Sequence, residues 1–374
     1  MKLVIFGLTI SSSWGNGHAT LWRGLCKALA RRGHEIVFFE RDVAYYALNR
    51  DLTAPPYAEL CLYPSWDATL PQARWHLAGA DVAMVTSYCP DGIAASDLVL
   101  DSAVPVRAFY DLDTPITLAR LQAGEAVESI GPRGLGDFDL VLSYTGGRAL
   151  LELQARLGAR RVAPLYGSVD PGVYRRTEVA PQYGADLSYM GTYAADRQPA
   201  LEQLLVEPAR RLPARRFLIG GAQYPEAFPW TDNIFFVRHL PPGEHPAFYS
   251  SSRLTLNITR AAMADMGYCP SGRLFEAAAC GAPILSDAWE GLDAFFHPDS
   301  EILVAHDTDG AIGALELSDA ELGRIAARAR ERALEEHTAD RRAAELERAI
   351  EAAASGVPPS EARAHPGAAT ARAG

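Results

Sequence analysis

The sequence has little cysteine, no excess of basic charge and no long apolar run, and each shortage excludes a class of protein. Its 374 residues include five cysteines, none in a CxxC pair, which disfavours a disulfide framework or a zinc site and favours a reducing cytoplasm. The 46 acidic against 35 basic side chains disfavour nucleic acid and anionic lipid as partners. The apolar start, residues 1–10, is too short to span a bilayer and lacks a cleavage pattern, so we expect no stable membrane insertion.

What the sequence does contain is a repeated alternation of strands and helices. An apolar run at 3–10, a glycine-containing loop, an amphipathic stretch that ends at Gly33 and a second run at 34–40 predict a βαβ unit. Three further short apolar runs, at 81–86, 104–110 and 139–143, extend the pattern. They predict a doubly wound parallel sheet.

A break in this pattern divides the chain. Its length exceeds the roughly 250 to 300 residues at which a single core stops growing, and residues 164–181 have the composition of a linker. We therefore predict an N-terminal domain at 1–168, a C-terminal domain at 182–340 and a disordered tail at 355–374. Strands of the second sheet are expected at 187–190, 216–219, 234–237, 254–258, 283–286 and 302–305, followed by one or two helices within 318–354.

The loop at 11–18 is the first candidate site. In an open parallel sheet, loops that leave the carboxyl ends of strands line the ligand crevice. His18 would lie at a helix N-terminus, where a neutral imidazole could accept a proton from an attacking hydroxyl. A histidine that only caps the loop is an equally open interpretation. Asn16 and Gly17 are expected to line the same cleft.

The same loop has some likeness to a dinucleotide-binding pattern. Gly15 and Gly17 approach a GxGxxG spacing, and Glu40 follows where an acid would bind a ribose in a dehydrogenase. However, Gly7 and Gly15 are too far apart for the tight turn, and Thr20 replaces the third glycine. Nicotinamide or flavin binding is therefore the weaker interpretation.

Two aspartates in a D-x-D arrangement, Asp111 and Asp113, directly follow a predicted strand. Carboxylates can hold Mg²⁺ or Mn²⁺ on a nucleotide diphosphate, because hard cations prefer oxygen ligands. The motif is short and common, however, and Asp111 could equally cap the turn that begins at Pro115. We favour a metal-free role, in which Asp113 faces the crevice and orients His18.

Four other strand ends carry residues whose backbone groups could approach a ligand. The candidates near an acceptor or the opposing domain are Thr145 and Gly146. The candidates near a donor nucleotide follow strands of the second sheet: Gly191, Thr192, Arg197, Gly220, His239 and Leu240.

The segment 267–287 carries the strongest signal. Ser271 is a good N-cap, and the pattern at 272–280 predicts a helix that Gly281 ends before the next strand. Free N–H groups at Ser271, Gly272 and Arg273, with the Arg273 guanidinium, could bind a pyrophosphate. The carboxylate of Glu276, one turn further, could accept hydrogen bonds from both hydroxyls of a ribose.

The residues Asp111-Leu-Asp-Thr-Pro115, Tyr144-Thr-Gly-Gly147, Tyr189-Met-Gly-Thr-Tyr193 and, above all, 271–283 resemble those of GT-B glycosyltransferases, more narrowly the CgeB-type and group-1-like family. The resemblance spans about residues 1–340. It implies two Rossmann-like domains that face an interdomain cleft, with C-terminal helices closing the fold.

The resemblance also implies a function. A nucleotide-sugar donor would bind mainly to the C-terminal domain, and an acceptor, which could be a small molecule, a glycan or a protein, to the N-terminal domain. The sugar would move to a hydroxyl or amine without a metal or other cofactor. Glu276 matches the second glutamate of the family's E-x7-E motif, but Tyr268 stands at the first. A metal-dependent transferase that uses Asp111 and Asp113 and a non-catalytic nucleotide-sugar-binding protein remain the alternatives.

Overall fold

The N-terminal half alternates strands and helices, as its apolar runs predict. A computed structural model describes residues 1–14 and 17–356. The strands are β1 (Lys2–Gly7), β2 (Glu35–Arg41), β3 (Glu59–Tyr63), β4 (Val82–Thr86), β5 (Val106–Asp111), β6 (Leu140–Ser143) and β7 (Val162–Pro164). The helices are α1 (His18–Arg31), α2 (Ala44–Ala47), α3 (Trp66–Ala78), α4 (Gly92–Leu100), α5 (Thr114–Gln122) and α6 (Arg148–Leu157).

These seven strands form one parallel sheet in the order β3-β2-β1-β4-β5-β6-β7. The central strand β1 pairs on both sides, with Leu3 opposite Ile36 and Val82. Side chains on the two faces of the sheet belong to two separate hydrophobic clusters. Because helices cover both faces, the inner strands are uniformly apolar rather than alternating.

The two edge strands, β3 and β7, carry no clear apolar run, and the sequence patterns do not predict them. Strand β3 alternates between buried and more exposed residues, because it is paired on one side only. Strand β7 has three partly buried residues and ends in Pro164, a residue that sheets tolerate at their edges. Strand β1 ends at Gly7, three residues before the predicted end.

The C-terminal half has a second parallel sheet, whose six strands all lie at the predicted runs. The strands are β8 (Leu187–Met190), β9 (Phe217–Gly221), β10 (Ile234–Arg238), β11 (Thr255–Asn257), β12 (Ile284–Ser286) and β13 (Leu303–Val304), in the order β10-β9-β8-β11-β12-β13. The helices are α7 (Gln198–Leu201), α8 (Glu207–Arg211), α9 (His245–Ser250), α10 (Ala261–Met266), α11 (Gly272–Ala279), α12 (Thr308–Glu316), α13 (Asp319–Glu336) and α14 (Ala339–Ala354).

The last helix returns to the first sheet. Ala343, Leu346 and Ile350 of α14 share a core with Leu25 and Leu29 of α1. Helix α13 instead packs on the second sheet domain, where Ala329 and Ala333 are buried. The predicted C-terminal helices thus pack against both sheets, because the apolar stripes of α13 and α14 face different cores. Within the described ranges, every helix is too short or too polar to cross a membrane.

Candidate active site

A cleft of about 380 Å³ opens between the carboxyl ends of the two sheets. The predicted residues that line it are Gly17, His18, Asp113, Gly191, Thr192, Arg197, Gly220, His239, Leu240, Ser271, Gly272, Arg273 and Glu276. They come from six separate segments of the chain, at strand ends and helix starts, which two facing sheets bring to one place. Asn16 lies outside the described residues, as do residues 357–374 of the predicted tail.

The loop after β1 is held in place by Glu40, the buried last-but-one residue of β2. Its carboxylate accepts hydrogen bonds from Thr9 Oγ1 at 2.9 Å, from Ile10 N at 2.8 Å and from Ser11 N at 3.0 Å and Ser11 Oγ at 2.6 Å. These four bonds occupy the carboxylate that a dehydrogenase would use for a ribose. Glu40 therefore shapes the approach to α1 instead of binding a dinucleotide.

His18 begins α1 and lies beside Asp113, which follows β5 on the same side of the cleft. Its Nε2 lies 4.0 Å from Asp113 Oδ2, and both side chains are about one-fifth exposed, at 20% and 19%. Burial lowers the pKa of His18, and the charge of Asp113 acts in the opposite direction. The imidazole is therefore neutral near pH 7 and can accept a proton. The ring of Tyr88 lies 5.5 Å from it between centroids.

Asp111 and Asp113 point to different surroundings, although they are two residues apart. The Oδ1 of Asp111 accepts hydrogen bonds from Asp113 N at 3.2 Å and Thr117 Oγ1 at 3.1 Å. Burial of this side chain raises the pKa of Asp111 to about 6. Its carboxylate closes the turn that leads into α5, as the capping interpretation predicts, and only Asp113 lines the cleft.

Thr145 and Gly146, predicted to lie near the acceptor, do not line the cleft. Thr145 Oγ1 donates to Cys269 Sγ at 3.1 Å, and Gly146 N donates to the carbonyl of Tyr268 at 3.0 Å. Both partners belong to the segment that precedes α11. The small residues after β6 thus allow close contact with the opposing domain, which is one of the two roles expected for them.

Helix α11 points its N-terminus into the cleft. The side chain of Ser271 leaves the first-turn N–H groups uncapped, and both Gly272 and Arg273 line the cavity. One face of the helix, with Leu274, Phe275 and Ala278, is buried in the core of the second domain. The helix dipole and these N–H groups are therefore able to accept an anion.

Glu276 lies one turn inside α11 and also faces the cleft. Burial raises the pKa of its carboxyl to about 7, whereas the hydroxyls of Tyr174 and Tyr249 and the charge of Arg273 act in the opposite direction. Tyr174 also contacts His245 Nδ1 at 3.2 Å. The carboxylate thus has a polar environment within the protein and changes charge close to neutral pH.

Two arginines supply positive charge on the donor side. Arg273 Nη1 donates to Asn257 Oδ1 at 3.0 Å, and its guanidinium lies 5.2 Å from the centre of the Tyr189 ring. Arg197 Nη1 donates to the Thr192 carbonyl at 3.2 Å. The Nε of Arg197 is buried and has no hydrogen-bond partner in the described part of the chain. Both side chains are oriented by the ends of strands and can meet an anion on α11.

The end of β9 approaches the end of β8 very closely. A Cβ built on Gly221 would lie 2.0 Å from the Gly191 carbonyl oxygen, so the backbone paths require glycine there. The next strand, β10, is followed directly by His239, whose N–H donates to the Gly221 carbonyl at 2.7 Å. The His239 ring lies 3.9 Å from that of Trp14, so this pair closes one side of the cleft between the domains.

Sequence reasoning missed several lining residues, among them Ser168, Thr259, Arg260 and His245. Thr259 and Arg260 directly follow the predicted strand at 254–258, so the rule that strand ends line the crevice could have found them. His245, whose Nε2 donates to the Leu240 carbonyl at 3.1 Å, begins α9, and no local motif marks it as a site residue. Asn257 and Tyr174 act by orienting other side chains, which only the tertiary structure shows.

Residues 197–358 match a family model described as glycosyl transferase-like. The match covers α11 and most of the second sheet, and it leaves out His18 and Asp113. A search of curated protein sequences finds no match to the chain.

Solved structures match almost the whole chain. Sucrose-phosphate synthase from Thermosynechococcus elongatus is similar over 94% of this chain and 98% of its own, with 14% identity and a TM-score of 0.70. HepE from Anabaena, solved with UDP-glucose, is similar over 94% of this chain and 100% of its own, with 11% identity and a TM-score of 0.65. An alpha-glucosyltransferase solved with UDP-glucose and DNA is similar over 94% of this chain and 99% of its own, with 12% identity and a TM-score of 0.68. These similarities confirm the predicted fold, and the narrower CgeB-type resemblance stays a prediction.

Proposed function

We propose that this chain, a glycosyltransferase of the GT-B fold, moves a sugar from a nucleoside-diphosphate donor to a hydroxyl or amine of an acceptor. The observation that carries the proposal is the meeting of three features in one cleft. They are the uncapped N-terminus of α11, the carboxyl of Glu276 one turn further, and His18 on the opposite domain.

The donor diphosphate is assigned to the start of α11. Its negative charge would lie against the N–H groups of Gly272 and Arg273, with the guanidinium groups of Arg273 and Arg197 on either side. Glu276 would accept hydrogen bonds from the ribose hydroxyls, as its position one turn deeper allows. That structures of UDP-glucose complexes share this fold supports a nucleotide sugar as the donor class.

The chemical step breaks the bond between the sugar and the diphosphate. Negative charge grows on the departing diphosphate, and the helix dipole, the N–H groups and the two arginines stabilise it. On the opposite side, neutral His18 takes the proton of the attacking hydroxyl or amine, and Asp113 stabilises the imidazolium that forms. The acceptor therefore approaches from the N-terminal domain.

We further propose that transfer needs no metal. Arg197, Arg273 and the start of α11 supply the positive charge that Mg²⁺ or Mn²⁺ would otherwise bring to the diphosphate. Asp111 is turned away from the cleft and holds the turn before α5. Asp113 alone would be a weak ligand for a hard cation, which prefers several oxygen ligands.

The contact between Trp14 and His239 supports closure of the two domains over the donor. Closure would expel water, which would otherwise compete with the acceptor for the sugar. The ring centroids of Trp14 and His239 lie 3.9 Å apart, so a loop of each domain already touches the other on one side of the cleft.

A thermal-shift screen with UDP-, GDP-, ADP- and TDP-sugars tests the proposal, because a donor that binds the native state raises Tm. We expect one base class to stabilise the chain, and Glu276→Gln to reduce that shift while Glu125→Gln, an exposed change, leaves it intact. Equal shifts in both variants would contradict the donor site. Donor binding with neither transfer nor slow hydrolysis of the donor would favour a non-catalytic sensor.

A further inference from the structure

A cluster of metal-binding side chains lies on the first sheet, away from the cleft. Glu59 and Cys61 are on the edge strand β3, and His76 is in the last turn of α3, the helix that follows it. Glu59 begins its strand, and strands of this sheet point their carboxyl ends at the cleft. The cluster therefore lies at the opposite end of the sheet, where the proposed transfer chemistry does not reach.

The three ligand atoms are close to one another. His76 Nε2 lies 3.4 Å from Glu59 Oε1, Cys61 Sγ lies 3.8 Å from Glu59 Oε1, and Cys61 Sγ lies 4.0 Å from His76 Nε2. Among the residues that the structure describes, this is the group of three whose possible ligand atoms all lie within 4.8 Å. Its geometry can be compared directly with that of a bound ion.

Zinc binds sulfur at about 2.3 Å and nitrogen or oxygen at about 2.0–2.2 Å in tetrahedral geometry. Ligand atoms at the corners of such a tetrahedron lie about 3.3–3.6 Å apart. The separation of nitrogen and oxygen already falls in this range, and each separation from sulfur exceeds it by less than about 0.5 Å. Small side-chain adjustments would bring all three atoms to one ion.

The burial of the cluster also suits an ion. Cys61 and His76 are almost fully buried, at 5% and 1% exposure, whereas the Glu59 side chain is 53% exposed. Two ligands are thus fixed by packing, and the third is open to solvent, which gives an ion a path of entry. The nitrogen of His76 that faces the cluster is Nε2, as its distances to Glu59 and Cys61 show.

We propose that Glu59, Cys61 and His76 bind a divalent ion of the zinc class. One sulfur, one nitrogen and one oxygen ligand suit an ion of intermediate softness better than Mg²⁺ or Ca²⁺, which prefer oxygen alone. When the ion binds, the thiol of Cys61 releases its proton to solvent and the sulfur bonds to the metal. The Gln72 amide, 3.3 Å from Sγ, adjoins the remaining side, where an amide oxygen or a water completes the coordination.

The alternative interpretation is a surface ion pair between Glu59 and His76. A pair of this kind would not involve Cys61, whose thiol packs in the core of the first sheet and supplies the soft ligand that makes the set selective. Lys2 is nearby and would repel a cation, but its ammonium pairs with Glu35 at 3.2 Å and is thereby partly neutralised. The Glu59 carboxylate and the Cys61 sulfur therefore stay available to one ion.

The ion would have a structural role. It would join the edge strand β3, whose one neighbour in the sheet is β2, to the end of α3. Sheet edges without a neighbour are prone to fraying and to pairing with other chains, and a cross-link to a covering helix counters both. The absence of a CxxC pair hides such a site from the sequence, since its ligands lie on two different elements.

Cobalt binding to the full-length protein, stripped of metal with a chelator, tests the proposal. A thiolate ligand gives Co²⁺ an intense charge-transfer absorption, so we expect that band to saturate at one equivalent and Zn²⁺ to remove it. Cys61→Ser should abolish the band. No band in the native protein, or an undiminished band in Cys61→Ser, would overturn the proposal.

Because Cys61 is buried, its substitution could disturb the fold, so a second variant is made at the exposed ligand Glu59. Glu59→Gln should keep the thermal stability of the metal-free protein and weaken Zn²⁺ binding by more than about tenfold. Glu125→Gln, an exposed change in the same domain, serves as the matched control and should bind Zn²⁺ like the native chain. Equal affinities in the two variants would show that Glu59 is not a ligand. Donor binding in the cleft is a separate measurement, so failure here leaves the proposed function untouched.

Discussion

The backbone N–H of Gly146 donates to the carbonyl of Tyr268 at 3.0 Å, and this bond joins the end of the first sheet to the segment before α11. The adjacent Gly147 has φ +55, and a Cβ there would lie 2.6 Å from the Tyr268 ring. The interdomain contact thus fixes both the backbone that leads into the donor helix and the aromatic ring beside it.

We expect Gly147→Ala to lower the free energy of unfolding by about 1–3 kcal/mol, because the position requires a left-handed backbone and leaves no room for a methyl group. Donor affinity should fall as well, since Tyr268 leads into α11. Denaturant unfolding and donor titration measure the two effects. Gly323→Ala, in the open interior of α13, is the control and should be neutral or slightly stabilising. Similar behaviour of both variants would contradict the argument.

His18→Ala should reduce kcat by about 10²- to 10⁴-fold while donor affinity stays unchanged, since its imidazole accepts a proton and does not hold the donor. Steady-state kinetics together with donor titration separate the two quantities. Asp113→Asn should show a smaller loss of kcat in the same direction. Normal turnover of His18→Ala with a bound donor would remove the catalytic role.

Donor affinity should increase as pH rises through about 7, where Glu276 loses its proton in the free protein. Only the ionised carboxylate accepts hydrogen bonds from both ribose hydroxyls. Binding below that pH should therefore release a proton, which calorimetry in buffers of different ionisation enthalpy detects. Glu276→Gln should bind more weakly and lose this pH dependence. A pH dependence retained by the variant would assign it to another group.

The same group predicts how the stability of the free protein changes with pH. The folded pKa of about 7 lies above the ordinary carboxyl value of 4.5, so burial favours the protonated form. The contribution of Glu276 to the free energy of unfolding is therefore most favourable at low pH, and it is lost as pH rises from about 4.5 through 7. Glu276→Gln should remove this part of the pH dependence of unfolding. Coincident profiles of native protein and variant would show that Glu276 does not titrate in this range.

Arg197→Met should weaken binding of the nucleoside diphosphate by about tenfold or more and leave binding of the corresponding nucleoside almost unchanged, because the guanidinium is assigned to the phosphates. Competition by the two compounds against the donor distinguishes these cases. Arg210→Met, at an exposed helix end, is the matched control. An equal loss for nucleoside and nucleoside diphosphate would show that Arg197 acts by shaping the pocket.

Turnover should persist in excess EDTA, and Asp111→Asn should retain it, since an amide oxygen can still accept from Asp113 N and Thr117. The assay is repeated on Glu59→Gln, so that any effect of EDTA on the proposed zinc cluster is recognised separately. Loss of turnover in EDTA with rescue by Mn²⁺, together with loss in Asp111→Asn, would instead favour the metal-dependent mechanism.

The sequence alone predicts the alternation of strands and helices, all six strands of the second sheet and the helix that starts after Ser271. These features depend on local patterns, because buried parallel strands are continuously apolar and helix ends need particular residues. The same patterns led to Glu276, Arg273 and His18 as candidates, since they follow strand ends or begin helices.

Only the tertiary structure decides which strand ends meet. Thr145 and Gly146 contact Tyr268 and Cys269 instead of the cleft, α14 packs on α1, and His76 reaches Cys61. Each of these depends on how two sheets and their covering helices pack, which is a property of distant parts of the chain. A local pattern determines what an element is, whereas burial of its apolar face against a partner determines where its polar residues finally lie.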